Sequence, residues 1–243
     1  MRSSFRVALV LTTGIGFVSV VHAQIAEDFE QSVPFNPGGS LDVQNRNGSI
    51  SISTCDEPMV RIEAKKRAKS EEALGDIEIR VEGSGDSVRI ETLHHRRRDS
   101  GKVDYRICLP AEANVKARTA NGAVTIDGLN GRVEANSTNG SLKLDSIEGE
   151  IEAATTNGSI NASYRRANDG RHRFSTTNGS VRVYLPQDAG GDFDAETVNG
   201  SIEVEFPLTL TRTSRRHMSG SFGSGSGSFE FRTVNGSVKL LTN

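Results

Sequence analysis

Hydrophobic and polar residues alternate in short stretches along this chain, and Asn-Gly turns separate the stretches. Successive Asn-Gly dipeptides are 74, 18, 18, 21, 21 and 36 residues apart. Their asparagines are Asn47, Asn121, Asn139, Asn157, Asn178, Asn199 and Asn235. Alternation with a period of two is typical of β-strands that bury one face. The pattern therefore predicts an array of short strands that meet at repeated turns.

The residues around each turn keep the same character in every copy. Apolar residues stand six and four positions before the Asn and three and five positions after it, and His172 is the one exception among these 28 positions. Each unit is predicted to be a strand, an Asn-Gly turn and a second strand. A second turn lies opposite the first, near Gly131 and Gly149.

Two architectures satisfy this repeat. Asn-Gly favours type I′ hairpin turns, which would give an antiparallel meander. A solenoid instead stacks each period on the last, so that equivalent residues lie on one another. The sustained register favours the solenoid, and the apolar spacing, which is not that of left-handed hexapeptide helices, favours a right-handed or irregular coil. We predict an all-β fold, a single right-handed β-helix-like β-solenoid with an irregular β N-terminal part.

In a solenoid the seven asparagines would form a structural turn ladder, each amide bonding the ones above and below. The glycine after each Asn is predicted to relieve the strain of positive φ at the corner. One such hydrogen bond contributes about 0.5–1.5 kcal/mol. Burial of one Val or Ile contributes about 1.5–3 kcal/mol. The apolar stacks are therefore expected to supply most of the stability, and the ladder to fix the register.

The chain is predicted to have three parts. Residues 1–23 have the basic start, apolar run and small-residue cleavage site of a signal peptide. Their apolar run is shorter than the ~20 residues of a spanning helix, so we expect an exported protein that does not span the membrane. Its location would be periplasmic, cell-surface or extracellular. Residues 24–114 form the irregular β N-terminal part and cap, and residues 115–243 form the regular Asn-Gly repeat solenoid.

Two regions depart from the repeat. In the N-terminal part we predict strands over residues 28–35, 59–66, 77–81, 87–93 and 103–109. A hairpin turn at residues 83–85 and one helical turn at residues 70–75 accompany them. Residues 212–228 replace a missing turn, and the retained period favours a decayed coil with Phe222 pointing inward over a flexible loop.

Charge and composition narrow the function classes. Removing the signal takes two of the 29 basic residues and no acidic one, which leaves 27 basic against 31 acidic residues. This balance argues against a nucleic-acid partner. The apolar content of 35% is low and suits strands that each bury one thin face. Cys55 and Cys108 either form one disulfide in an oxidising compartment or are two separate small hydrophobic residues. Their spacing predicts no metal site.

The sequence offers little chemistry. The densest basic cluster, a candidate polyanion contact, consists of His94, His95, Arg96, Arg97 and Arg98. A solvated hairpin tip is the favoured interpretation of this cluster. A second basic cluster spans residues 164–173. The acids alternate with Lys and Arg along outward strand positions, as on a solvated face. We predict no catalytic residues, no cofactor and no metal.

The repeats carry a family resemblance. Segments such as residues 137–144, 197–204 and 233–240, each built on Asn-Gly-Ser followed by alternating apolar residues, resemble the bacterial "putative adhesin" family of β-strand-repeat proteins, a domain of unknown function. The resemblance covers roughly residues 40–243. It implies a right-handed β-helix-like solenoid in the bacterial envelope, and some relatives are linked to envelope-stress responses.

Three functions are consistent with these features. The leading hypothesis is an exported non-catalytic β-solenoid of the bacterial envelope or surface, with an adhesin-like binding or envelope-stress role and an envelope polysaccharide or a protein as partner. The alternative is a β-helix polysaccharide-active enzyme, a lyase or hydrolase. A third is a structural module whose exposed C-terminal strand, residues 237–241, pairs with another chain.

Overall fold

The computed structural model describes residues 25–95, 101–166 and 169–243. Within those residues the chain forms nineteen β-strands and one short helix, α1 (Glu71–Gly75). The strands are β1 (Ile25–Gln44), β2 (Ile50–Thr54), β3 (Met59–Ala68), β4 (Ile77–His94), β5 (Gly101–Leu109), β6 (Asn114–Asn121), β7 (Val124–Asp127), β8 (Val133–Asn139), β9 (Leu142–Ile147), β10 (Ile151–Asn157), β11 (Ile160–Tyr164), β12 (Arg171–Asn178), β13 (Val181–Leu185), β14 (Gly191–Asn199), β15 (Ile202–Val204), β16 (Leu208–Thr213), β17 (His217–Phe222), β18 (Gly227–Asn235) and β19 (Val238–Thr242). The predicted all-β class is confirmed.

The strands form two sheets that share β1, so hydrogen bonding is continuous through all of them. The front sheet holds the strands that precede the Asn-Gly corners together with β4, β16 and β17, in the order β4-β1-β6-β8-β10-β12-β18-β14-β17-β16. The back sheet holds the strands that follow the corners together with β3, β5 and the first half of β1, in the order β1-β3-β5-β2-β7-β9-β11-β13-β19-β15. Neighbouring coils pair in parallel, so the repeats form a solenoid-like stack and not an antiparallel meander.

The register places equivalent residues directly on one another. Val133 lies beside Ile151, and Asn139 beside Asn157. Of the 28 positions that define the repeat, 26 are buried, His172 among them. The other two, Ile202 and Val204 on β15, are half-buried because β15 is covered only on its β19 side. The inward faces of the two sheets thus enclose one thin core.

The order of the coils along the stack differs from their order in the chain. β18 pairs in parallel with both β12 and β14. β19 likewise lies between β13 and β15. The last coil in sequence is therefore the last but one in space. The hypothesis of an exposed C-terminal strand at residues 237–241 is wrong, because β19 has a neighbour on each side.

Residues 208–222 form an antiparallel hairpin of β16 and β17, and β17 pairs antiparallel with β14. The prediction of a decayed coil for residues 212–228 is therefore wrong, although Phe222 is buried as expected. The hairpin strand β17 pairs with one edge of β14, and β18 pairs with the other edge. Because β17 already occupies one edge of β14, the last coil can add only at the other edge. It therefore lies between the coil of Asn178 and the coil of Asn199.

The N-terminal strands extend both sheets beyond the first coil. In the back sheet the first half of β1 pairs antiparallel with β3, and β3 pairs antiparallel with β5. In the front sheet β4 turns back at Gly83 and Gly85, which have φ of 91° and 68°. The turn brings His95 N within 3.0 Å of Asp76 O. The predicted helical turn is present as α1, where Ser70 Oγ accepts a hydrogen bond from Ala73 N.

The division at residues 114 and 115 stays a prediction, and the coil around Asn47 lies directly on the coil around Asn121. The predicted signal peptide, residues 1–23, lies outside the described residues. Among the residues that the structure describes, no helix is long and apolar enough to cross a membrane.

Candidate binding surface

The seven Asn-Gly corners stack into one column, which we call the corner column. In stack order its asparagines are Asn47, Asn121, Asn139, Asn157, Asn178, Asn235 and Asn199. Each Nδ2 donates to Oδ1 of the preceding Asn at 2.8 Å. At the N-terminal end the Nδ2 of Asn47 donates to the carbonyl of Gly101 at 3.3 Å. The ladder is therefore directional, with its donors pointing toward the N-terminal cap.

The corner glycines are required by close stacking and not by backbone strain. Apart from Gly48, none of them has positive φ, and no asparagine does either. The predicted reason for the Gly is therefore wrong at six of the seven corners. A Cβ on Gly140 would lie 1.8 Å from the carbonyl oxygen of Gly122, and the other corner glycines show the same conflict. The corners approach so closely that only glycine fits.

A second ladder, of hydroxyl groups, was missed by sequence reasoning. Two residues before six of the asparagines stands a Thr or Ser whose hydroxyl donates to the Gly carbonyl of the preceding coil at 2.9–3.2 Å. These residues are Thr119, Ser137, Thr155, Thr176, Thr197 and Thr233, and all are buried. The signal was present in the sequence, because six of the seven repeats have Thr or Ser at this position, two residues after a buried apolar residue.

The outer face of the front sheet carries a shallow groove of about 590 Å³ beside the corner column. We call it the front groove. Small uncharged side chains from neighbouring coils line most of it: Ala120, Asn136, Thr138, Ala154, Thr156, Ser175 and Thr177. Thr138, Thr156 and Thr177 are exposed and stand one residue before their asparagines. Because the coils are in register, hydroxyl and amide groups repeat along the groove at the strand spacing of about 4.8 Å.

Charged residues flank the groove and pair with one another between coils. Lys116 contacts Glu134 at 2.7 Å, and Arg132 contacts Glu150 at 2.7 Å and Glu152 at 2.9 Å. Similar pairs between other coils are Arg165–Glu148, Arg173–Glu230 and Lys239–Glu203, and Lys143 pairs with Asp145 within β9. Glycoside hydrolysis needs two carboxyl groups that converge across a cleft. The acids here are instead engaged by neighbouring bases along solvated faces.

The described residues of the two basic clusters lie at opposite corners of the solenoid. His94 ends β4 on the side of the Asn-Gly corners, and the Nε2 of His95, the next residue, lies 2.8 Å from Glu78 Oε2. Arg96, Arg97 and Arg98 lie outside the described residues, so the polyanion contact stays a prediction. In the second cluster Arg165 and Arg166 follow β11, and Arg171 begins β12 at the other corner, four strands along the front sheet from β1. The described residues of the two clusters do not form one patch.

A smaller hollow of about 330 Å³ lies on the back sheet near the N-terminal cap. Asp104 lines this hollow and has several polar partners. It accepts hydrogen bonds from Ser49 N and Ser49 Oγ at 3.0 Å and also contacts Arg67 and Lys102. Burial opposes ionisation of Asp104, but the bonds from Ser49 and the charge of Lys102 outweigh it and lower its pKa. Asp104 therefore fastens the first corner to β5, and it is not available as a proton donor.

His172, the polar exception in the repeat, is fully buried. Its Nδ1 lies 2.7 Å from the hydroxyl of Tyr164, and its ring stacks on Phe229 with centroids 4.6 Å apart. Burial, assisted by the charge of Glu150, raises the pKa of Tyr164. The pair is enclosed in the core, where it bridges two coils and has no access to a substrate.

Cys55 and Cys108 are joined by a disulfide with a Cα–Cα distance of 5.7 Å. The bond links the segment after β2 to the adjacent strand β5 and closes a sequence separation of 53 residues. Across the described ranges no group of three or more His, Cys, Asp or Glu side chains is arranged to hold a metal ion.

The fold is similar to that of a solved structure. The solved structure of a "putative cell adhesion protein" from Clostridium sporogenes ATCC 15579 is 16% identical, with a TM-score of 0.51, over 89% of this chain and 100% of that one. A "putative adhesin" from Bacteroides fragilis NCTC 9343 is 12% identical, with a TM-score of 0.49, over 90% and 97% of the two chains. At 16% identity the first of these likenesses speaks for the fold alone. No curated protein matches.

The model of one protein family, Toastrack DUF4097, matches residues 12–241, nearly the whole chain. The match confirms the resemblance to β-strand-repeat proteins of unknown function that the Asn-Gly-Ser segments indicated. The chain belongs to the Toastrack DUF4097 family.

Proposed function

We propose that this chain is an exported, non-catalytic binding protein of the bacterial envelope or surface, with an adhesin-like role, and that its front groove binds an extended envelope polysaccharide. The observation that carries the proposal is the front groove itself. It crosses several coils, and uncharged side chains line it at a constant spacing, apart from Arg118, which pairs with Asp42 at 2.9 Å.

The chemistry of the groove suits a sugar polymer. Ser and Thr hydroxyls both donate and accept hydrogen bonds, and an Asn side chain carries one donor and one acceptor group. Sugar hydroxyls have the same dual character. Because Ala154 and the threonines are short, the groove floor is open to a chain that runs along the stack axis. The charges beside the groove are neutralised in pairs, which favours a ligand of low charge density.

The absence of catalysis in this proposal is supported by the placement of the acids. The carboxylates beside the front groove pair with Lys116 and Arg132 from adjacent coils. A glycosidase would need one carboxylic acid held protonated and a second carboxylate aimed at the same sugar. The similarity to a protein named as a putative cell adhesion protein points the same way.

Export is supported by the signal-like residues 1–23 and by the Cys55–Cys108 bond, since disulfides persist in oxidising compartments. We further infer that the coils are right-handed. Connections between parallel strands of a sheet strongly prefer that hand, because right-twisted strands return to the sheet most readily that way.

The proposal is tested with purified envelope polysaccharides immobilised on beads. We expect the protein to be retained without releasing shorter chains. Thr156→Glu, which places a charge in the front groove, should reduce retention at least tenfold. Thr125→Glu makes the same change on the outer face of the back sheet and should leave retention unchanged. Release of shortened polysaccharide would support the enzyme alternative, and equal retention of both variants would remove the front groove from the proposal.

A further inference from the structure

The coil of β14 and β15 ends the stack with an uncovered corner. We call residues 198–204 the open corner. Among the described strands, β15 pairs only with β19. Ile202 and Val204 remain half-buried, and Val198, just before the corner, is 45% exposed. Val198 is one of only three large apolar side chains that are exposed in the described residues. The end of the back sheet is thus unprotected, as at an unpaired edge strand.

Every other corner hydrogen-bonds to the next coil through the same groups. The Asn Oδ1 accepts from the next Asn Nδ2. The Gly N–H donates to the next Asn carbonyl at 2.8–3.0 Å. The apolar residue three positions after the Asn donates its N–H to a carbonyl two residues past the next Asn, as Val238 does to Ser201 at 2.9 Å.

At the open corner these groups point away from the stack. No described residue donates to Asn199 Oδ1 or accepts from Gly200 N–H. Val238 N donates to Ser201 O, and Glu205 N donates to Leu240 O. The backbone polar groups of residues 201 and 205 therefore face β19. Because backbone groups alternate along a strand, the N–H groups of Ile202 and Val204 face the empty side.

Only part of this end is accessible to an incoming chain. In the front sheet β17 already covers β14, and Thr197 N donates to Arg216 O at 2.9 Å. A new strand therefore cannot be added in front of the corner. The corner itself and the back-sheet side of β15 are uncovered by any described strand.

We propose that the open corner binds a segment of another protein with the sequence pattern Asn-Gly-Ser-apolar-x-apolar, which adds a strand parallel to β15. The incoming Asn side chain donates to Asn199 Oδ1, and its carbonyl accepts from Gly200 N–H. The incoming Ser carbonyl accepts from Ile202 N–H. The two apolar residues cover Ile202 and Val204. This is strand addition to a sheet edge, with side-chain specificity supplied by the corner.

Glycine is the most selective part of the pattern. In the corners that follow another coil, a Cβ on the Gly would lie 1.8–2.2 Å from the Gly carbonyl oxygen of the coil before it. An incoming residue meets the carbonyl of Gly200 in the same way. Any side chain at that position would collide with this backbone carbonyl.

A second folded copy does not supply this segment. The side of its first corner that would face the open corner is already covered, because Asn47 Nδ2 donates to Gly101 O and Ser49 donates to Asp104. Its other corners lie inside the stack. The partner is therefore a strand segment from a different chain, and the inference does not depend on polysaccharide binding in the front groove.

The first test uses the full-length chain and a fluorescent peptide that copies residues 235–242, Asn-Gly-Ser-Val-Lys-Leu-Leu-Thr. We expect saturable binding by fluorescence anisotropy. The peptide with Gly replaced by Ala should show no measurable binding, and the peptide with Asn replaced by Asp should bind several times more weakly, since it lacks the amide donor. Equal binding of the Gly and Ala peptides, or no binding of the parent peptide, would overturn the proposal.

The second test locates the peptide. Ser201 Oγ lies 3.1 Å from Ser237 Oγ in the neighbouring coil, and a bound peptide would place its third residue on the other side of Ser201. Adjacent strands are about 4.8 Å apart. This spacing lies within the Cα separation of disulfides. Ser201→Cys should therefore cross-link to the peptide Asn-Gly-Cys-Val-Lys-Leu-Leu-Thr. Ser159→Cys is the matched control, because coils cover that corner on both sides.

Two results would count against this location. Cross-linking of Ser159→Cys as fast as that of Ser201→Cys would show that the peptide does not select the open corner. A dimer of the wild-type chain in light scattering that becomes monomeric in Ile202→Pro would assign the edge to a second copy and overturn the proposal of a foreign segment. Circular dichroism of Ile202→Pro, compared with that of the wild type, verifies that the variant is folded.

Discussion

At the scale of single residues, Gly140 shows what the corner column demands. Its missing side chain leaves room for the carbonyl of Gly122, which a Cβ would approach to 1.8 Å. We expect Gly140→Ala to lower the free energy of unfolding by about 3 kcal/mol or more, because two backbones must separate. Urea unfolding followed by circular dichroism measures this loss.

Gly75 provides the matched control for Gly140→Ala. It ends α1, and a Cβ there would meet nothing within 4 Å. Gly75→Ala should be neutral or stabilising by up to about 1 kcal/mol, because Ala restricts the unfolded chain. If the two substitutions have equal effects, steric exclusion is not the reason for the corner glycines.

The buried pair of His172 and Tyr164 supports a second residue-scale prediction. His172→Leu leaves the Tyr164 hydroxyl without its partner at 2.7 Å and should cost about 1–3 kcal/mol. The double variant with His172→Leu and Tyr164→Phe removes both polar groups. It should lose less stability than the two single changes added together.

The double-mutant cycle is measured by urea unfolding of the wild type, the two single variants and the double variant. We expect a coupling energy of about 1–2 kcal/mol, in the range for residues in direct contact. Strict additivity would show that the hydrogen bond contributes no stability beyond the packing of the two rings.

At the scale of the elements, the hydroxyl ladder is open to test at β10. Thr155 Oγ1 donates to Gly140 O at 2.9 Å, and Thr155 is buried. Thr155→Val keeps the shape and leaves that carbonyl without the hydroxyl, so we expect a loss of about 1 kcal/mol. Thr156→Val, one residue later on the exposed side of the strand, should change stability by less than about 0.5 kcal/mol. Equal effects would mean that the hydroxyl ladder is incidental.

Sequence reasoning found the repeating elements but gave the wrong reason for one of their residues. The apolar positions around Asn139 and Asn157 predicted the strands and the solenoid-like stack, because burial of one strand face imposes a period of two. Asn-Gly is also a strong hairpin signal, so positive φ was the natural explanation for Gly. The close approach of Gly140 to Gly122 depends on neighbouring coils and has no local signature.

The order of coils was not predictable from the repeat. Every corner presents the same donors and acceptors, so the pattern around Asn235 is equally compatible with the coil of Asn178 or that of Asn199. The antiparallel hairpin of β16 and β17 makes the choice by covering one edge of β14. The hairpin segment around Leu210 does not carry the repeat pattern, so the sequence does not reveal its pairing with β14.

At the scale of the whole molecule, the disulfide ties the N-terminal cap to the first coil. Cys55 and Cys108 close a sequence separation of 53 residues. Loop-closure entropy for that length corresponds to about 4 kcal/mol. We expect Cys55→Ala with Cys108→Ala to lower the stability by up to about that amount, measured by urea unfolding. A reducing agent should lower the stability of the wild type by a similar amount and leave the stability of the variant unchanged. A reductant effect on the variant would show that the loss has another origin.

The whole chain should also lose stability at alkaline pH through its buried tyrosines. Burial raises the pKa of Tyr105 to about 12, although its hydrogen bond with Thr92 at 2.7 Å acts in the opposite direction. The folded state therefore binds this proton more tightly than the unfolded state, whose tyrosine has a pKa near 10. The contribution is fully present below pH 10 and is lost as the pH rises through 12.

For Tyr105 alone the shift corresponds to about 3 kcal/mol. Tyr164, whose pKa is raised by burial and by the charge of Glu150, should add to the loss in the same direction. Urea unfolding at pH 8, 10 and 11.5 measures how the free energy of unfolding of the wild type declines. Tyr105→Phe, which has no proton to lose, should start less stable at pH 8 because its bond to Thr92 is missing. The stability of Tyr105→Phe should then decline less steeply above pH 10 than that of the wild type. Parallel curves for the two proteins would show that Tyr105 does not link folding to alkaline pH.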